Sequence, residues 1–215
     1  MYETVIFDLD GTLLDTLDDL HSAVNAALSA YGLPLRSKAQ VRAFVGNGIV
    51  KLMQRAIGDE DFAHFDGALA AFKTYYKVHC KDKTAPYAGI MSLLSALKAR
   101  GIKTAVVSNK ADFAVKLLAA EYFDGLLLAA VGENESAGIR KKPAPDSLLS
   151  VMETLGARAE TTVYVGDSEV DILTAKNAGV ACLSVTWGFK ERAFLLENGA
   201  EILIDEPLEI LAYCK

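Results

Sequence analysis

The alternation of short apolar runs with longer helical patterns most constrains the fold of this chain. From the second run onward, a gap long enough for a helix separates each run from the next. The runs are Thr4–Phe7, Lys103–Ser108, Leu126–Val131, Thr162–Val165, Ala181–Val185 and Glu201–Ile204. Continuous apolar strands between amphipathic helices are typical of a parallel sheet covered on both faces. The pattern therefore predicts an α/β protein.

The first gap breaks this alternation. It contains no strand-like run, and glycine-containing segments at 32–34 and 46–48 divide it into several helical patterns. The predicted helices are Leu17–Tyr31, Lys38–Val45, Ile49–Ile57 and Asp61–Cys80. Because this is too much chain for one crossover, we predict an all-helical domain at 16–81. It would be inserted into an α/β core formed by 1–15 and 82–215.

Composition limits the partners and the compartment. Of the 215 residues 52% are hydrophobic, which is enough for a large core, and the net charge is −6. Without a long basic run, nucleic acid and anionic membranes are poor partner candidates. Three widely spaced cysteines indicate neither a disulfide framework nor a zinc site. With no signal peptide or membrane-spanning segment recognised, we expect a cytoplasmic protein.

Two acidic residues, Asp8 and Asp10, end the first apolar run. In an extended chain such positions point to the same side, and two like charges are costly to bury without a cation. Mg²⁺ binds carboxylate and phosphate oxygens, and Gly11 permits a turn that a Cβ would hinder. Taken alone, the segment is equally compatible with a solvated turn after a strand.

Three later strand ends carry complementary chemistry. Ser108 and Asn109 follow the second run, before a helix predicted to start near Ala111, where a hydroxyl and backbone N–H groups can bind phosphate oxygens. Plain helix capping is the alternative. Lys142 precedes a Pro-x-Pro segment and can offer a positive charge to a phosphoryl group, whereas a solvated basic loop is the alternative for a lysine pair.

The last strand end, after Val165, is acidic. Asp167 follows this buried run, and Asp171 lies one helical turn further along the chain if a helix starts there. The pair can complete a magnesium site, or it can complement the dipole at a helix N-terminus. One shared magnesium ion would explain the acids at both ends of the chain, whereas the dipole explanation requires two coincidences.

These four segments, in order, resemble the four motifs of the haloacid dehalogenase-like hydrolase superfamily. The resemblance covers essentially the whole chain and implies a Rossmann-like parallel sheet core with an inserted helical cap domain. Within the superfamily the chain looks most like the phosphoglycolate phosphatase-type branch. That similarity rests on segments Val45–Gly48, Gly89–Gly101 and Val185–Phe189.

The resemblance also implies a role for each matching residue. Asp8 is the nucleophile and forms an aspartyl-phosphate, and Asp10 is the acid/base, which Thr12 helps to orient. Mg²⁺ is bound by the carboxylates of Asp8 and Asp167 and by the backbone carbonyl of Asp10. Ser108 and Asn109 bind the phosphoryl oxygens, and Lys142, with Lys141 as the alternative, neutralises Asp8 and the transferring group. Asp171 supports the metal ligands or ligates through water, and Glu169 is a less defined candidate for such an outer role.

Asp10 distinguishes the possible reactions. The dehalogenases of the superfamily lack this second acid, because a halide leaving group needs no proton, so a small phosphate ester is the expected substrate. A β-phosphoglucomutase-like phosphomutase is an alternative, against which Gly11-Thr12 is the phosphatase-like form. A non-catalytic phosphate-binding protein is a second alternative, which the intact set of acids and lysine disfavours.

The loop Gly46-Asn47-Gly48 lies between two helices of the insert, where related proteins present a specificity loop. Gly46 and Asn47 are therefore candidates for substrate binding, with ordinary helix capping as the alternative. Three basic residues follow or precede this loop, namely Arg42, Lys51 and Arg55. Any one of them could pair with a substrate carboxylate, although a solvated helix face is the simpler interpretation of each.

Overall fold

The computed structural model describes residues 1–134 and 138–215, and these form two compact units. One unit comprises residues 1–14 and 86–215, and the other comprises residues 15–85. The strands are β1 (Thr4–Phe7), β2 (Leu14–Asp15), β3 (Ala85–Pro86), β4 (Lys103–Ala111), β5 (Ala129–Glu133), β6 (Thr162–Gly166), β7 (Ala181–Val185) and β8 (Leu203–Ile204).

The helices lie between these strands along the chain. They are α1 (Leu17–Ala30), α2 (Lys38–Phe44), α3 (Gly48–Ile57), α4 (Phe65–His79), α5 (Ile90–Ala99), α6 (Asp112–Phe123), α7 (Asp146–Leu155), α8 (Glu169–Ala178) and α9 (Arg192–Glu197). Short 3₁₀ helices cover Phe62–His64, Ala159–Thr161 and Pro207–Ala212. In the part of the chain that the structure describes, no helix has the length and apolar character needed to cross a membrane.

The larger unit is built on a six-stranded parallel sheet with the strand order β5-β4-β1-β6-β7-β8. Alternate residues of β1 face opposite sides of it. Val5 and Phe7 pack in one apolar cluster with residues of α5 and α6, whereas Ile6 packs in a second cluster with residues of α7 and α8. Both faces of the sheet are therefore covered, which confirms the predicted α/β class and Rossmann-like core.

The smaller unit consists of α1 to α4 and the 3₁₀ helix at Phe62–His64. Its helices bury apolar faces that include Val24 of α1, Met53 of α3 and Phe72 of α4. The Asp19 carboxylate is also buried there, and it accepts hydrogen bonds from the backbone N–H groups of Lys83 and Thr84. These bonds explain why residues 82–85 group with the helices, whereas the sequence assigned them to the core.

Candidate active site

The three central strands bring the first, second and fourth predicted motifs to one edge of the sheet. Lys142 of the third motif lies between β5 and α7 rather than at the strand end predicted for it. Phe7 of β1 lies beside Val106 of β4 and Val165 of β6 in the parallel register. Asp8 follows Phe7 directly, and Asp167 follows the last residue of β6. Because parallel strands end on the same side, residues separated by more than 150 positions in the sequence meet at their carboxyl ends.

Lys142 lies at the centre of this site. Its side chain is 3% exposed, and its Nζ lies 2.9 Å from Asp8 Oδ1 and 2.7 Å from Asp171 Oδ1. Nζ also donates a 2.9 Å hydrogen bond to the hydroxyl of Tyr164, which in turn donates to the backbone carbonyl of Val107 at 2.7 Å. An ammonium group that is buried this deeply needs such partners, because it has lost its hydration.

The backbone of Lys142 is held by the side chain of Asn109. The amide Oδ1 accepts from Lys142 N at 2.8 Å, and Nδ2 donates to Lys142 O at 3.0 Å. This reciprocal pair connects the second motif to the third. The Asn109 side chain therefore positions the lysine, and its predicted phosphoryl contact stays a prediction, as does that of the buried Ser108.

Three buried carboxylates form a compact acidic group. Asp8, Asp167 and Asp171 each offer an oxygen within 4.8 Å of the others. Asp167 Oδ2 accepts a 2.6 Å hydrogen bond from the backbone N–H of Phe189. Asp171 was predicted to support the metal ligands or to ligate through water, and this role stays a prediction. The structure places its carboxylate within the acidic group and beside Lys142.

Burial and mutual repulsion govern the charges of this group. Burial raises the pKa of Asp8 to about 6, although the Lys142 ammonium opposes the shift. Burial, together with the negative charges of Asp171 and Asp8, raises the pKa of Asp167 well above its usual range. Burial disfavours the charged form of Lys142, but the carboxylates of Asp171 and Asp8 outweigh it and raise the pKa of that lysine.

The site is short of positive charge by an amount that one divalent cation supplies. Among the described residues, the compact group of Asp8, Asp167 and Asp171 is paired with one ammonium group, that of Lys142, so the ionised set carries a charge of −2. In addition, no described residue donates an aligned hydrogen bond to the buried Asp8 Oδ1, although Lys142 Nζ lies 2.9 Å away. Buried oxygen donors with excess negative charge fit a hard ion such as Mg²⁺.

Two glycines let the backbone approach Asp167. Gly11 has φ +84°, and a Cβ built on it would lie 2.4 Å from Asp167 Oδ2. A Cβ on Gly188 would lie 2.3 Å from Asp167 Cβ. Any side chain at either position would therefore displace the carboxylate. The sequence indicated that Gly11 permits a turn, but it did not indicate that Gly11 or Gly188 approaches Asp167.

Asp10 is paired with a lysine that the sequence did not single out. Lys110 Nζ lies 2.7 Å from Asp10 Oδ1. Thr12 was predicted to orient Asp10, but its Oγ1 is buried and has no hydrogen-bond partner among the described residues. Instead, the Thr12 carbonyl accepts from the indole N–H of Trp187 at 3.0 Å, which anchors the turn after Asp10.

The two remaining predicted site residues belong to the helical unit. Gly46 has φ +122°, and Asn47 occupies the N-cap position of α3. Arg55, one of the basic residues near this loop, donates a 2.7 Å hydrogen bond to the Phe44 carbonyl at the end of α2. This bond gives Arg55 a structural contact within the unit, whereas the substrate-binding roles of Gly46 and Asn47 stay predictions.

Sequence comparisons give a consistent picture. The model of the haloacid dehalogenase-like hydrolase family matches residues 5–185. A phosphoglycolate phosphatase of Pseudomonas syringae pv. syringae is 33% identical over 217 residues, covering 98% of this chain and 79% of the relative. A phosphoglycolate phosphatase of Neisseria meningitidis serogroup A is 36% identical over 209 residues, covering 92% of this chain and 86% of the relative.

Solved structures resemble the whole chain. A crystal structure from Lactobacillus delbrueckii subsp. bulgaricus, proposed to be a phosphoglycolate phosphatase, has a TM-score of 0.90 at 36% identity and covers 97% of this chain and 96% of its own. A predicted phosphoglycolate phosphatase from Haemophilus somnus also has a TM-score of 0.90, at 29% identity, and covers 99% of this chain and 97% of its own.

Proposed function

Because the chain belongs to the haloacid dehalogenase-like hydrolase family and is a phosphatase of that family, we propose that it hydrolyses small phosphomonoesters through an aspartyl-phosphate on Asp8. The proposed cofactor is Mg²⁺, and the leading candidate substrate is 2-phosphoglycolate. The observation that carries the proposal is the buried ion pair of Asp8 with Lys142 beside two further carboxylates. A carboxylate held in this way is a fixed nucleophile with a cation next to the phosphoryl group that it would attack.

The first step transfers the phosphoryl group to the protein. An Asp8 oxygen forms a bond to phosphorus while the bond from phosphorus to the ester oxygen breaks. The leaving oxygen takes a proton from the carboxyl form of Asp10, which becomes a carboxylate, so the alcohol departs neutral. Lys142 offsets the negative charge that gathers around Asp8 and the phosphoryl oxygens, because its Nζ already lies 2.9 Å from Asp8 Oδ1.

The second step releases phosphate. A water oxygen forms a bond to phosphorus while the bond to the Asp8 oxygen breaks, and Asp10 accepts the proton that the water loses. Inorganic phosphate leaves, and Asp8 and Asp10 return to their starting states. Water is the only co-reactant, so no external oxidant or second substrate is required.

Asp8, Asp167 and the Asp10 carbonyl would hold the magnesium ion, with Asp171 close enough to contribute. When bound, the ion would neutralise phosphoryl oxygens and orient the phosphate for in-line attack. In this proposal Ser108 and Asn109 contact the phosphoryl oxygens. Residues 16–81 act as a cap domain, in which Gly46 and Asn47 contact the leaving group.

Phosphoglycolate is proposed as the substrate because relatives that bear the name phosphoglycolate phosphatase match nearly the whole chain. The resemblance covers the helical insert as well as the catalytic motifs, since the alignments span 92% or more of this chain. An insert that is shared along its length would be expected to select a similar leaving group. The three widely spaced cysteines support a reducing, cytoplasmic setting for the protein.

The test is a comparison of wild-type protein with Asp8→Asn, in Mg²⁺ and in EDTA. We expect wild type to hydrolyse p-nitrophenyl phosphate and 2-phosphoglycolate only with Mg²⁺, and Asp8→Asn to lose at least 10³-fold in kcat because the amide is not a nucleophile. Asp124→Asn, an exposed aspartate at the end of α6, is the control and should retain full activity. Full activity in EDTA or in Asp8→Asn would contradict the mechanism.

In the same assay a panel of phosphate esters tests the substrate. We expect kcat/KM for 2-phosphoglycolate to exceed the values for sugar phosphates, nucleotides and pyrophosphate by at least tenfold. A flat profile would contradict the proposed substrate and leave the phosphatase mechanism standing. Transfer of the phosphoryl group to a sugar rather than to water would favour the phosphomutase alternative.

A further inference from the structure

Lys110 is a buried cation that the proposed mechanism has not yet used. Its side chain is only 2% exposed, whereas that of its partner Asp10 is 14% exposed. The lysine therefore approaches the carboxylate from the protein interior, while Asp10 keeps a surface accessible to solvent. At 2.7 Å from Nζ to Oδ1, the contact is a charge-assisted hydrogen bond.

The backbone around Lys110 is fixed on both sides. The pairing of β4 with β5 shifts register between Val107 and Ala111, so Lys110 lies in an irregular part of the strand. The N–H of Lys110 donates to Ser108 Oγ at 3.3 Å. A Cβ on Gly132 of β5 would lie 2.6 Å from the Lys110 carbonyl, so the neighbouring strand packs directly against this residue.

Burial of a lysine is energetically unfavourable, and in this fold the buried Lys110 lies next to one particular carboxylate, that of Asp10. A structural ion pair could as well have been placed at the surface, as for Lys116 and Asp112, where the lysine is 66% exposed. We propose that Lys110 is a positioning residue, which holds the Asp10 side chain where its carboxyl form can give a proton to the leaving oxygen and its carboxylate form can take one from water. This inference rests on the proposed function.

Physically, the ion pair would restrict the rotation of the Asp10 side chain. Thr12 does not donate a hydrogen bond to this carboxylate, because the Thr12 Oγ1 has no partner among the described residues. Proton transfer needs the donor within hydrogen-bond reach of the reacting oxygen, and displacement by about 1 Å can cost about 100-fold in rate. Lys110→Met keeps the length and apolar stem of the side chain but removes the ammonium.

The first test compares leaving groups of different basicity in wild type and Lys110→Met. An alkyl phosphate such as 2-phosphoglycolate needs a proton on its leaving oxygen, whereas acetyl phosphate releases acetate, which needs none. We expect phosphorylation of Asp8 by 2-phosphoglycolate to slow by about 10- to 100-fold, and phosphorylation by acetyl phosphate to change by less than threefold. Rapid acid quench with ³²P-labelled substrates measures both steps.

Hydrolysis of the phosphoenzyme should also slow, because Asp10 must accept the proton of the attacking water. We therefore expect acid-stable ³²P-labelled protein to accumulate from acetyl phosphate in Lys110→Met and to accumulate far less from 2-phosphoglycolate. A purely structural role for Lys110 would lower both phosphorylation rates by one factor and leave the labelled fraction unchanged, and that result would overturn the inference. A faster variant would overturn it as well.

A double-mutant cycle shows whether Lys110 acts through Asp10. We expect Lys110→Met to cost less than threefold in an Asp10→Asn background, since the carboxylate it positions is already gone. A further loss of tenfold or more in that background would overturn the inference. Lys116→Met, which also removes a lysine from an aspartate, is the matched control and should leave all rates unchanged.

Lys110→Arg keeps the test decisive if Lys110→Met does not fold. Arginine retains the positive charge but changes the reach of the donor, so we expect a smaller loss that is again confined to the alkyl phosphate. An equal loss for both substrates in Lys110→Arg would overturn the inference. Wild-type protein without any activity on either substrate would instead refute the proposed function, so the two failures are distinguishable.

Discussion

At the scale of single residues, Tyr164 connects the active-site lysine to the sheet. Its hydroxyl accepts from Lys142 Nζ and donates to the Val107 carbonyl, and the whole side chain is buried. Tyr164→Phe would deprive that carbonyl of this donor and remove one of the three groups that, among the described residues, contact Lys142 Nζ. We expect the free energy of unfolding to fall by about 1–3 kcal/mol, because a buried polar group loses its partner.

We expect Tyr164→Phe to lower the activity of the protein less than its stability. Lys142 keeps both of its carboxylate partners, so we expect kcat to fall by less than tenfold. Urea unfolding and steady-state kinetics measure the two effects. Tyr75→Phe, which removes a hydroxyl from a half-buried tyrosine of α4, is the control for loss of a phenol group. Unchanged stability in Tyr164→Phe would mean that the bond to Val107 contributes nothing.

Residues of the site differ in how far the sequence could predict them. Asp8 and Asp167 follow apolar runs, and a charged residue at the end of a buried strand stands out in a pattern of hydrophobicity. Lys142 lies between β5 and α7, and the segment Pro143-Ala144-Pro145 that follows it made it recognisable. Tyr164 lies inside such a run and has the strand propensity of an aromatic residue, so its hydroxyl gave no signal. Lys110 was within a predicted motif, but only the fold shows that it faces Asp10.

At the scale of elements, the start of α8 determines where Asp171 points. Ser168 and Asp171 form a capping box, in which the backbone N–H and the hydroxyl of Ser168 donate to Asp171 Oδ2 at 3.1 and 2.6 Å. That leaves Asp171 Oδ1 to meet Lys142 at 2.7 Å. The helix cap thus serves the site as well as the helix, so the two interpretations of these acids are compatible.

Two serine caps provide a matched comparison. Ser168→Ala and Ser37→Ala each remove a capping-box hydroxyl, at α8 and α2 respectively. We expect each to destabilise its helix by about 1 kcal/mol. Only Ser168→Ala should lower kcat, by about three- to tenfold, since only there does the cap orient a carboxylate that contacts Lys142. Equal kinetic effects of the two substitutions would contradict this account.

The bounds of helices and strands were predictable where hydrophobic periodicity agrees with the positions of turn-forming residues. β1 and β7 have the predicted bounds, whereas β5 begins at Ala129 rather than Leu126. The difference arises because Gly125 has φ +68° and Leu126 N–H bonds to the Phe123 carbonyl, so the chain is still turning there. Leu126 packs against the core from this turn, and an apolar residue in a turn cannot be told from a strand residue by pattern.

At the scale of the whole molecule, the parallel sheet gathers acids that the sequence keeps far apart. β1 is paired on both sides, and its neighbours β4 and β6 carry the second and fourth motifs, whereas Lys142 of the third motif follows β5 along the chain. The long insert leaves the sheet after the first motif and returns at β3, so it adds a second unit without interrupting the central strands. The order of the motifs was therefore informative about topology, because strands that share one site must end on the same side.

Clustering of acids at this edge should make the stability of the molecule depend on divalent metal. In the protein without metal, Asp167 is buried with too little positive charge, as its raised pKa indicates. Replacing it by asparagine removes a repelling charge, so we expect Asp167→Asn to have a higher Tm than wild type in EDTA. With Mg²⁺ at 100 times its Kd, wild type should gain about 2.7 kcal/mol through linkage.

The variant lacks one of the proposed ligands and should gain less stability from Mg²⁺. The difference in Tm between the two proteins should therefore shrink or change sign on adding Mg²⁺. Thermal unfolding followed by circular dichroism, with and without the ion, measures both Tm differences, and Asp124→Asn should respond as wild type does. If Mg²⁺ raised Tm equally in wild type and Asp167→Asn, the ion would bind elsewhere, and the acidic group would not be its site.

The stability of the molecule should also depend on pH through Asp8. The folded pKa of Asp8 is about 6, above its usual 3.8. Between these values the folded state binds more protons than the unfolded state, so this group makes wild type in EDTA more stable as pH falls from 7 towards 4.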